Sequence, residues 1–187
     1  MKRNKIYRKL EEAYKEEIEK VDDRETVHKA MKYQKKHGMK GWECFFVPED
    51  WFYDDVLKLL RADDVVFDVG AGDLRFDLLM AKKVRKVYAV EINPTILGKA
   101  LQIIGYDLPT NLIAICGNAF KMELPADVTV VTCLMIHREH DFPENWLEKR
   151  IIYTSGDGIH VLKDGRDEVV DRWENDRWIK AVIGGIE

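Results

Sequence analysis

Two stretches of sequence decide the fold. Residues 65–73 read VVFDVGAGD, and residues 87–91 read VYAVE. Each opens with a continuous apolar run, which is typical of a strand buried on both faces of a parallel sheet. The first run leads into Gly70 and Gly72, and glycines at such a turn let the backbone bend sharply and approach a ligand closely. The second run ends in Glu91, a carboxylate suited to accept hydrogen bonds from a ribose diol.

The same alternation continues along the chain. Short apolar runs at 112–116, 128–135 and 151–154 predict a third, a fourth and a fifth strand. Helix-length stretches at 75–83 and 94–104 lie between the strands. Strands that alternate with helices in this way predict an α/β fold with a mostly parallel sheet and helices on both of its faces.

The N-terminal region has a different period. Over residues 6–37, apolar side chains recur at spacings of three and four among charged ones, which predicts a helical arm. A further helix is predicted at 51–60. We therefore divide the chain into an N-terminal helical arm, residues 1–41, and an α/β domain, residues 42–187.

The C-terminal region lacks the helices of the preceding units. Apolar or alternating runs at 159–162, 168–173 and 178–183 are separated by turn signals rich in Gly, Asn and Asp. Short strands joined by such turns are typical of hairpins. The pattern predicts antiparallel strands that close one edge of the sheet.

Composition sets outer limits on the function. The chain has 187 residues, of which 46% are hydrophobic and 34% are charged, so it is long enough for one folded domain and an appendage. It contains no apolar run of about 18 residues and no secretory signal, so no membrane association is predicted. The three cysteines form no CxxC pair, which predicts a reducing cytoplasmic location. Cys116 and Cys133 fall in predicted strands, where we expect buried, unreactive thiols.

Charge is distributed unevenly along the chain. Residues 1–40 hold 13 Lys and Arg against 8 Asp and Glu, a net charge of +5, whereas the whole chain has a net charge of -4. The basic arm is interpreted either as a solvated helix of mixed charge or as a region that contacts phosphates. The net acidity of the chain argues against a general nucleic-acid binder.

The residues around the glycine turn bear on the class of cofactor. A dinucleotide fingerprint needs a third glycine at the position of Arg75, where the larger side chain would crowd the contact between helix and strand. Asp68, just before the turn, suits a ligand that carries a positive charge. S-adenosylmethionine, with its sulfonium and amino groups, is such a ligand, and NAD is disfavoured.

Taken together, these motifs resemble the class I S-adenosylmethionine-dependent methyltransferases, whose fold is Rossmann-like. The resemblance covers roughly residues 42–154, and Asn118 stands where the family usually has Asp. An Asn still accepts a hydrogen bond through its carbonyl oxygen, although it carries no charge. The matching stretches are residues 66–73, 87–92, 117–120 and 127–134.

The resemblance implies that S-adenosylmethionine is the cofactor and that the reaction is methyl transfer. Glu91 would bind the ribose, Ile92 would pack on the adenine face, and Asn118 would bind the adenine. The cofactor-binding residues that it implies are Asp68, Gly70, Ala71, Gly72, Asp73, Glu91, Ile92, Asn118, Ala119 and Cys133. Glu91→Ala is expected to weaken cofactor binding by about 2–4 kcal/mol and to leave the unliganded stability nearly unchanged, because a strand-end carboxylate makes few packing contacts.

The methyl acceptor stays open between a small molecule, a protein and an RNA. Residues 134–139 read LMIHRE and lack the Asn/Asp-Pro-Pro-aromatic motif of methyltransferases that act on adenine or glutamine amino groups. His137 and Glu139 are the candidate catalytic bases, with a charged surface loop as the alternative, and no metal site is predicted. The aromatic loop at 42–48 is either core or a lid.

Two hypotheses from other functional classes compete with the enzyme. The domain could bind S-adenosylmethionine or another adenosine ligand without catalysis, as a sensor or a regulatory subunit. An NAD-dependent oxidoreductase is the least favoured reading. Deletion of residues 1–37 is expected to leave a folded sheet that binds cofactor but to impair activity, because the arm is expected to lie over the acceptor side.

Overall fold

The computed structural model describes residues 4–19, 50–134, 142–155 and 158–172. Its elements, in chain order, are α1 (Lys5–Glu19), α2 (Asp50–Leu59), β1 (Val65–Val69), α3 (Arg75–Met80), β2 (Lys86–Glu91), α4 (Pro94–Ile104), β3 (Leu112–Cys116), β4 (Val130–Cys133), β5 (Arg150–Ser155), β6 (Gly158–Lys163) and β7 (Arg166–Arg172). Short 3-10 turns at Gly105–Asp107, Ala119–Lys121 and Glu144–Trp146 connect some of them.

The described strands form one sheet in the order β3-β2-β1-β4-β5-β6-β7. The first five strands run parallel to their neighbours, while β6 and β7 are antiparallel additions at one edge. The predicted α/β fold with a mostly parallel sheet and antiparallel edge strands is confirmed. The chain moves outward on one side from β1 to β3 and then returns to β4, so the carboxyl ends of β1 and β4 flank the crevice where such sheets bind ligands.

Local sequence signals account for the best-defined elements. All five residues of β1 are buried, as expected for a central strand of a parallel sheet. Helix α4 begins at Pro94, and the side chain of Asn93 caps it by accepting hydrogen bonds from the backbone N–H groups of Thr95 and Ile96. It ends at Gly105, whose φ of 56° lies in the left-handed region.

The two faces of the sheet are covered differently. All four described α-helices contribute to a core on one face, whereas the sequence predicted helices on both faces, and the described 3-10 turns and loops contribute to the core on the other face. The first core includes Leu10, Phe52, Val56, Val66, Leu79, Val87, Leu97, Ala100, Val130 and Ile152. The second includes Val65, Phe67, Val90, Ala119, Val131, Trp146, Ile151 and Tyr153. In the described residues, the connection from β3 to β4 and the connection from β4 to β5 contain 3-10 turns and no α-helix. These turns therefore pack on the second face, where connecting α-helices would otherwise lie.

Helix α1 is part of the first core. Tyr7, Leu10 and Tyr14 are almost completely buried on it. The hydroxyl of Tyr14 donates a hydrogen bond to the carbonyl oxygen of Ile96 at 2.5 Å. Because α1 supplies buried apolar side chains, we now expect its removal to destabilise the sheet. The proposed boundary between residues 41 and 42, the rest of the arm and the aromatic loop lie outside the described residues.

Three further features differ from the sequence-based expectations. Helix α3 ends at Met80, three residues before the predicted end, and β4 is limited to Val130–Cys133. The prediction that Cys116 is buried was wrong, because β3 is the outermost strand of the described sheet and Cys116 is exposed. The strand predicted at 178–183 lies outside the described ranges. No helix within those ranges is both long and apolar enough to span a bilayer.

Candidate functional site

The glycine turn after β1 is held against the end of β2. The backbone N–H groups of Gly70 and Ala71 both donate to the carbonyl oxygen of Val90, at 2.9 and 3.0 Å. Gly70 and Gly72 have φ angles of 79° and 57°, which other residues adopt only with strain. A Cβ atom at Gly70 would meet no other atom within 4 Å, so the backbone there borders open space. The turn therefore offers an approachable backbone at the crevice.

A third residue of the turn also has a left-handed backbone. Leu74 has a φ of 66°, and its side chain is fully buried. A leucine in this conformation costs about 1–2 kcal/mol, so its burial must offset backbone strain. The sequence analysis placed the third glycine position of a dinucleotide turn at Arg75. Nothing in the residue type of Leu74 indicates positive φ, which is why the pattern missed it.

Asp73 and Arg75 form a buried ion pair beside the turn. The Nε of Arg75 lies 2.6 Å from Oδ2 of Asp73, and the backbone N–H of Arg75 donates to Oδ1 at 3.1 Å. Burial raises the pKa of Asp73 even though the guanidinium opposes the shift. The guanidinium also lies 5.7 Å from the centre of the Tyr7 ring on α1. Both carboxylate oxygens of Asp73 are thus engaged within the protein.

Asp68 lies under the turn, near a second acid that the sequence analysis did not select. Its Oδ1 accepts a hydrogen bond from the hydroxyl of Thr132 on β4. Burial raises the pKa of Asp68 to about 6, and the charge of Glu91 adds to the shift. Asp77 on α3 is fully buried, and burial with the nearby charge of Asp68 raises its pKa well above the ordinary value. In sequence, an Asp in the first turn of a helix is typical of a favourable dipole contact, so Asp77 gave no sign of being buried.

Glu91 ties the end of β2 to the glycine turn. Its Oε2 accepts a hydrogen bond from the backbone N–H of Gly72 at 2.8 Å, and its Oε1 accepts one from Asn93 at 2.7 Å. Burial raises the pKa of Glu91, and these N–H groups oppose the shift. The expectation that this carboxylate makes few packing contacts was wrong, because the turn folds back onto the strand end.

The end of β3 supplies the next part of the site. Asn118 begins a 3-10 turn, and its side-chain oxygen accepts a hydrogen bond from the backbone N–H of Phe120 at 3.0 Å. Ala119 is buried, whereas Ile92 and Phe120 are 39% and 42% exposed. Two apolar side chains are therefore open to solvent after adjacent strands, as a planar ligand face would need.

The end of β4 completes the described part of the site. Cys133 is buried and lies opposite Val69 of β1 in the register of the sheet. Burial and the charge of Asp68 raise the pKa of its thiol, so the thiol is protonated near neutral pH. The candidate bases His137 and Glu139 lie outside the described residues. Within the ranges that the structure describes, no three His, Cys, Asp or Glu side chains form a metal-binding group.

The structure brings most of the predicted site residues to one end of the sheet. The glycine turn, Glu91, Asn118 and Cys133 follow or end four adjacent parallel strands. Among the described residues, the buried charged groups there are four acids and one cation. They are Asp68, Asp73, Asp77, Glu91 and Arg75. This excess of carboxylates favours a ligand that carries positive charge.

Comparisons with known proteins agree with this geometry. No family model matches the chain. The tRNA (guanine(37)-N(1))-methyltransferase Trm5b of Pyrococcus abyssi is 31% identical over 122 residues, covering 65% of this chain and 36% of the relative. A protein-lysine N-methyltransferase of Saccharolobus islandicus is 34% identical over 92 residues, covering 48% of this chain and 56% of the relative. The chain thus spans only part of the curated relatives it matches.

A solved structure shows the same fold. The RNA methyltransferase from Salinibacter ruber, solved in complex with S-adenosyl-L-homocysteine, matches with a TM-score of 0.52 at 18% identity. The match covers 67% of this chain and all of that chain (100%). The sheet order, the glycine turn and the sequence matches are all consistent with the resemblance to the class I S-adenosylmethionine-dependent methyltransferases.

Proposed function

We propose that this protein binds S-adenosylmethionine at the glycine turn and transfers its methyl group to an acceptor. The observation that carries the proposal is the connection of Gly72 to Glu91 at the switch point of the sheet, with Asp68 buried beneath. An acid-rich turn suits a sulfonium and an amino group and disfavours the pyrophosphate of NAD. The carboxyl ends of the strands are where open α/β sheets bind ligands.

In this proposal each part of the site has a positioning role. Each Glu91 oxygen has a second lone pair, so the carboxylate accepts ribose hydroxyls while it still holds Gly72. Ile92 offers an exposed apolar surface to the adenine face, and the segment at Asn118 and Ala119 borders its edge. Cys133, at the end of β4, lines the floor near the methyl group. When bound, the cofactor supplies a methyl group already activated by the sulfonium.

The protein then contributes orientation and exclusion of water to the transfer step. The acceptor attacks in line with the bond between sulfur and the methyl carbon, and S-adenosylhomocysteine leaves. We assign removal of the acceptor proton to His137 or Glu139, which follow β4 in sequence.

We further propose RNA as the acceptor. The relative from Pyrococcus abyssi modifies a guanine in tRNA, and the first 40 residues of this chain carry a net charge of +5. A basic region of this kind would contact the phosphates of an RNA acceptor. The region 1–41 would then serve acceptor binding while 42–187 holds the cofactor. The scattered cysteines fit the cytoplasm as its location.

A methyl-transfer assay tests the activity. The protein is incubated with S-adenosylmethionine labelled on the methyl group and with total RNA or total protein, and S-adenosylhomocysteine formation is measured. Label in RNA is expected. Label in protein alone would overturn the RNA assignment, and cofactor binding without turnover on either acceptor would favour the binding-module alternative.

A matched pair of glycine variants tests the site. Gly70→Ala places a Cβ on a residue with a φ of 79°, so it should distort the turn and weaken cofactor binding. Gly98→Ala, in α4, places a Cβ in open space without positive φ and should bind like the parent. Calorimetry measures the affinity of each variant for S-adenosylhomocysteine, with NAD as a negative control. Equal binding by the two variants would place the cofactor elsewhere.

A further inference from the structure

We propose that Asp68 and Asp77 share a single proton in the unliganded protein, and that this proton is released when a cationic ligand binds at the glycine turn. The inference rests on the proposed function, because it names S-adenosylmethionine as that ligand. It adds to the site a residue, Asp77, that would act by positioning and charging Asp68.

The placement of the two acids is the first ground. Asp77 is completely buried and Asp68 is 4% exposed, so neither carboxylate is stabilised by bulk water. No described residue donates a hydrogen bond to either oxygen of Asp77. Asp68 lies on the same face of β1 as Val66, in the core that α3 covers, so its carboxyl group and that of Asp77 interact between the strand and the helix. Two carboxyl groups form a hydrogen bond only when one of them is protonated, so the shared proton supplies the missing donor.

The surrounding charges are the second ground. The described side chains that interact with the pair or lie beside it come from the elements packed around it, and most of them are acidic or neutral. They are Glu91 on β2, Thr132 and Cys133 on β4, Tyr53 on α2, and Asp73 with Arg75 at the start of α3. Arg75 is the single cation among them, and Asp73 binds it at 2.6 Å. Because Arg75 is the only cation among the described side chains around the pair, two adjacent buried negative charges would be very costly, and retention of a proton avoids that cost.

Ligand binding changes the protonation of the Asp68–Asp77 pair. The sulfonium and amino groups of S-adenosylmethionine bring positive charge next to Asp68. That charge stabilises the doubly ionised pair, so the proton leaves one carboxyl group for the buffer and no covalent bond to the ligand forms. Asp68 is then free to interact with the ligand as a full anion while it keeps its hydrogen bond from Thr132.

Calorimetry in buffers of different ionisation enthalpy tests the coupling. The heat of S-adenosylmethionine binding is measured from pH values near the pKa of Asp68, about 6, up to mildly alkaline pH. The parent should show a buffer-dependent heat that corresponds to release of up to about one proton per ligand. S-adenosylhomocysteine, which lacks the sulfonium charge, should release less.

Two variants locate the source of the proton. Asp77→Asn keeps the size of the side chain and supplies a permanent donor to Asp68, so its binding heat should no longer depend on the buffer. Asp64→Asn is the control, because Asp64 is a buried acid paired with Arg150 at the amino end of β1. Asp64→Asn should release as many protons per bound ligand as the parent. Buffer-independent heat in the parent, or unchanged release in Asp77→Asn, would overturn the inference.

A ligand-free measurement separates this inference from the proposed function. Because the pKa of each acid is raised on folding, the protonated pair contributes stability that is complete below the ordinary Asp pKa of 3.8 and is lost as pH rises through the folded values. The unfolding free energy of the parent should therefore fall with rising pH over this window more steeply than that of Asp77→Asn. If the unfolding free energies of the parent and of Asp77→Asn depended on pH in the same way, the shared proton would be refuted. If they differed as expected but neither S-adenosylmethionine nor S-adenosylhomocysteine bound, only the cofactor assignment and the release step would be refuted.

Discussion

The carboxylate of Glu91 accepts a hydrogen bond from the backbone N–H of Gly72 at 2.8 Å. The acid assigned to the ribose is therefore also a support of the turn that approaches the cofactor. This hydrogen bond links ligand binding to the local fold. A ligand that binds Glu91 contacts a glycine turn that the same carboxylate already orders in the free protein.

Glu91→Ala should affect both the free and the liganded protein. Loss of the carboxylate leaves the N–H groups of Gly72 and Asn93 without their acceptor, which costs about 1–3 kcal/mol of unliganded stability. Urea unfolding measures this cost, and calorimetry with S-adenosylhomocysteine measures the loss of affinity. Glu91→Gln should lie between the parent and Glu91→Ala in both stability and affinity, because its amide oxygen replaces one of the two carboxylate acceptors. Unchanged stability in Glu91→Ala would show that the turn does not depend on this carboxylate.

Leu74 allows backbone strain to be separated from burial. Glycine usually destabilises a structured position by about 0.5–1 kcal/mol relative to alanine. At Leu74, with a φ of 66°, we expect the reverse order, because glycine relieves the left-handed strain that alanine keeps. Both Leu74→Gly and Leu74→Ala should be less stable than the parent, since each removes a fully buried side chain. Chemical denaturation that found the alanine variant the more stable of the two would argue against strain at this position.

The core position of α1 predicts a strong effect at Leu10. Leu10 is fully buried among the helices on the first face, so Leu10→Ala should cost about 2–5 kcal/mol. Lys9→Ala, at the exposed neighbouring position, is the matched control and should change little. Thermal and urea unfolding compare the two. Similar stabilities would mean that α1 is a detachable arm, and deletion of residues 1–37 would then leave the sheet intact after all.

The buried pair of Asp73 and Arg75 should be strongly coupled. Arg75→Met leaves the Asp73 carboxylate buried without its cation, which costs about 3–5 kcal/mol. The double variant with Asp73→Asn should cost less than the sum of the two single variants, because it leaves no uncompensated charge. A double-mutant cycle of unfolding free energies measures the coupling. Additive effects would indicate that the pair contributes nothing as a pair.

The parts of the fold that are local in sequence were predictable from it. The apolar run of β1 and the Asn-Pro start of α4 each specify an element through their own residues. Strand order is different, since it follows from pairings between segments far apart in the chain. The exposure of Cys116 depends on β3 being the outermost described strand, and no residue of β3 encodes that position.

The candidate site shows the same division. Gly70, Gly72 and Glu91 were recognisable because their residue types suit the turn and the strand end. The conformation of Leu74 and the burial of Asp77 were not recognisable, because both contradict the usual preferences of their residue types. Such violations of local preference persist where surrounding packing enforces them, and they concentrate at sites that bind ligands.

The switch point of the sheet also has a consequence for the folding pathway. The pairing of β1 with β4 brings together residues as far apart in sequence as Asp68 and Thr132, which are separated by 64 positions, whereas β6 and β7 meet across a tight turn. Closing the long loop between β1 and β4 costs more chain entropy than closing the short turn between β6 and β7. We therefore expect the β6–β7 hairpin to form early and the crevice between β1 and β4 to form late. We also expect the contacts between β1 and β4, which a ligand at the crevice would stabilise, to form after the folding transition state. Stabilisation by such a ligand would slow unfolding and leave the rate of folding almost unchanged.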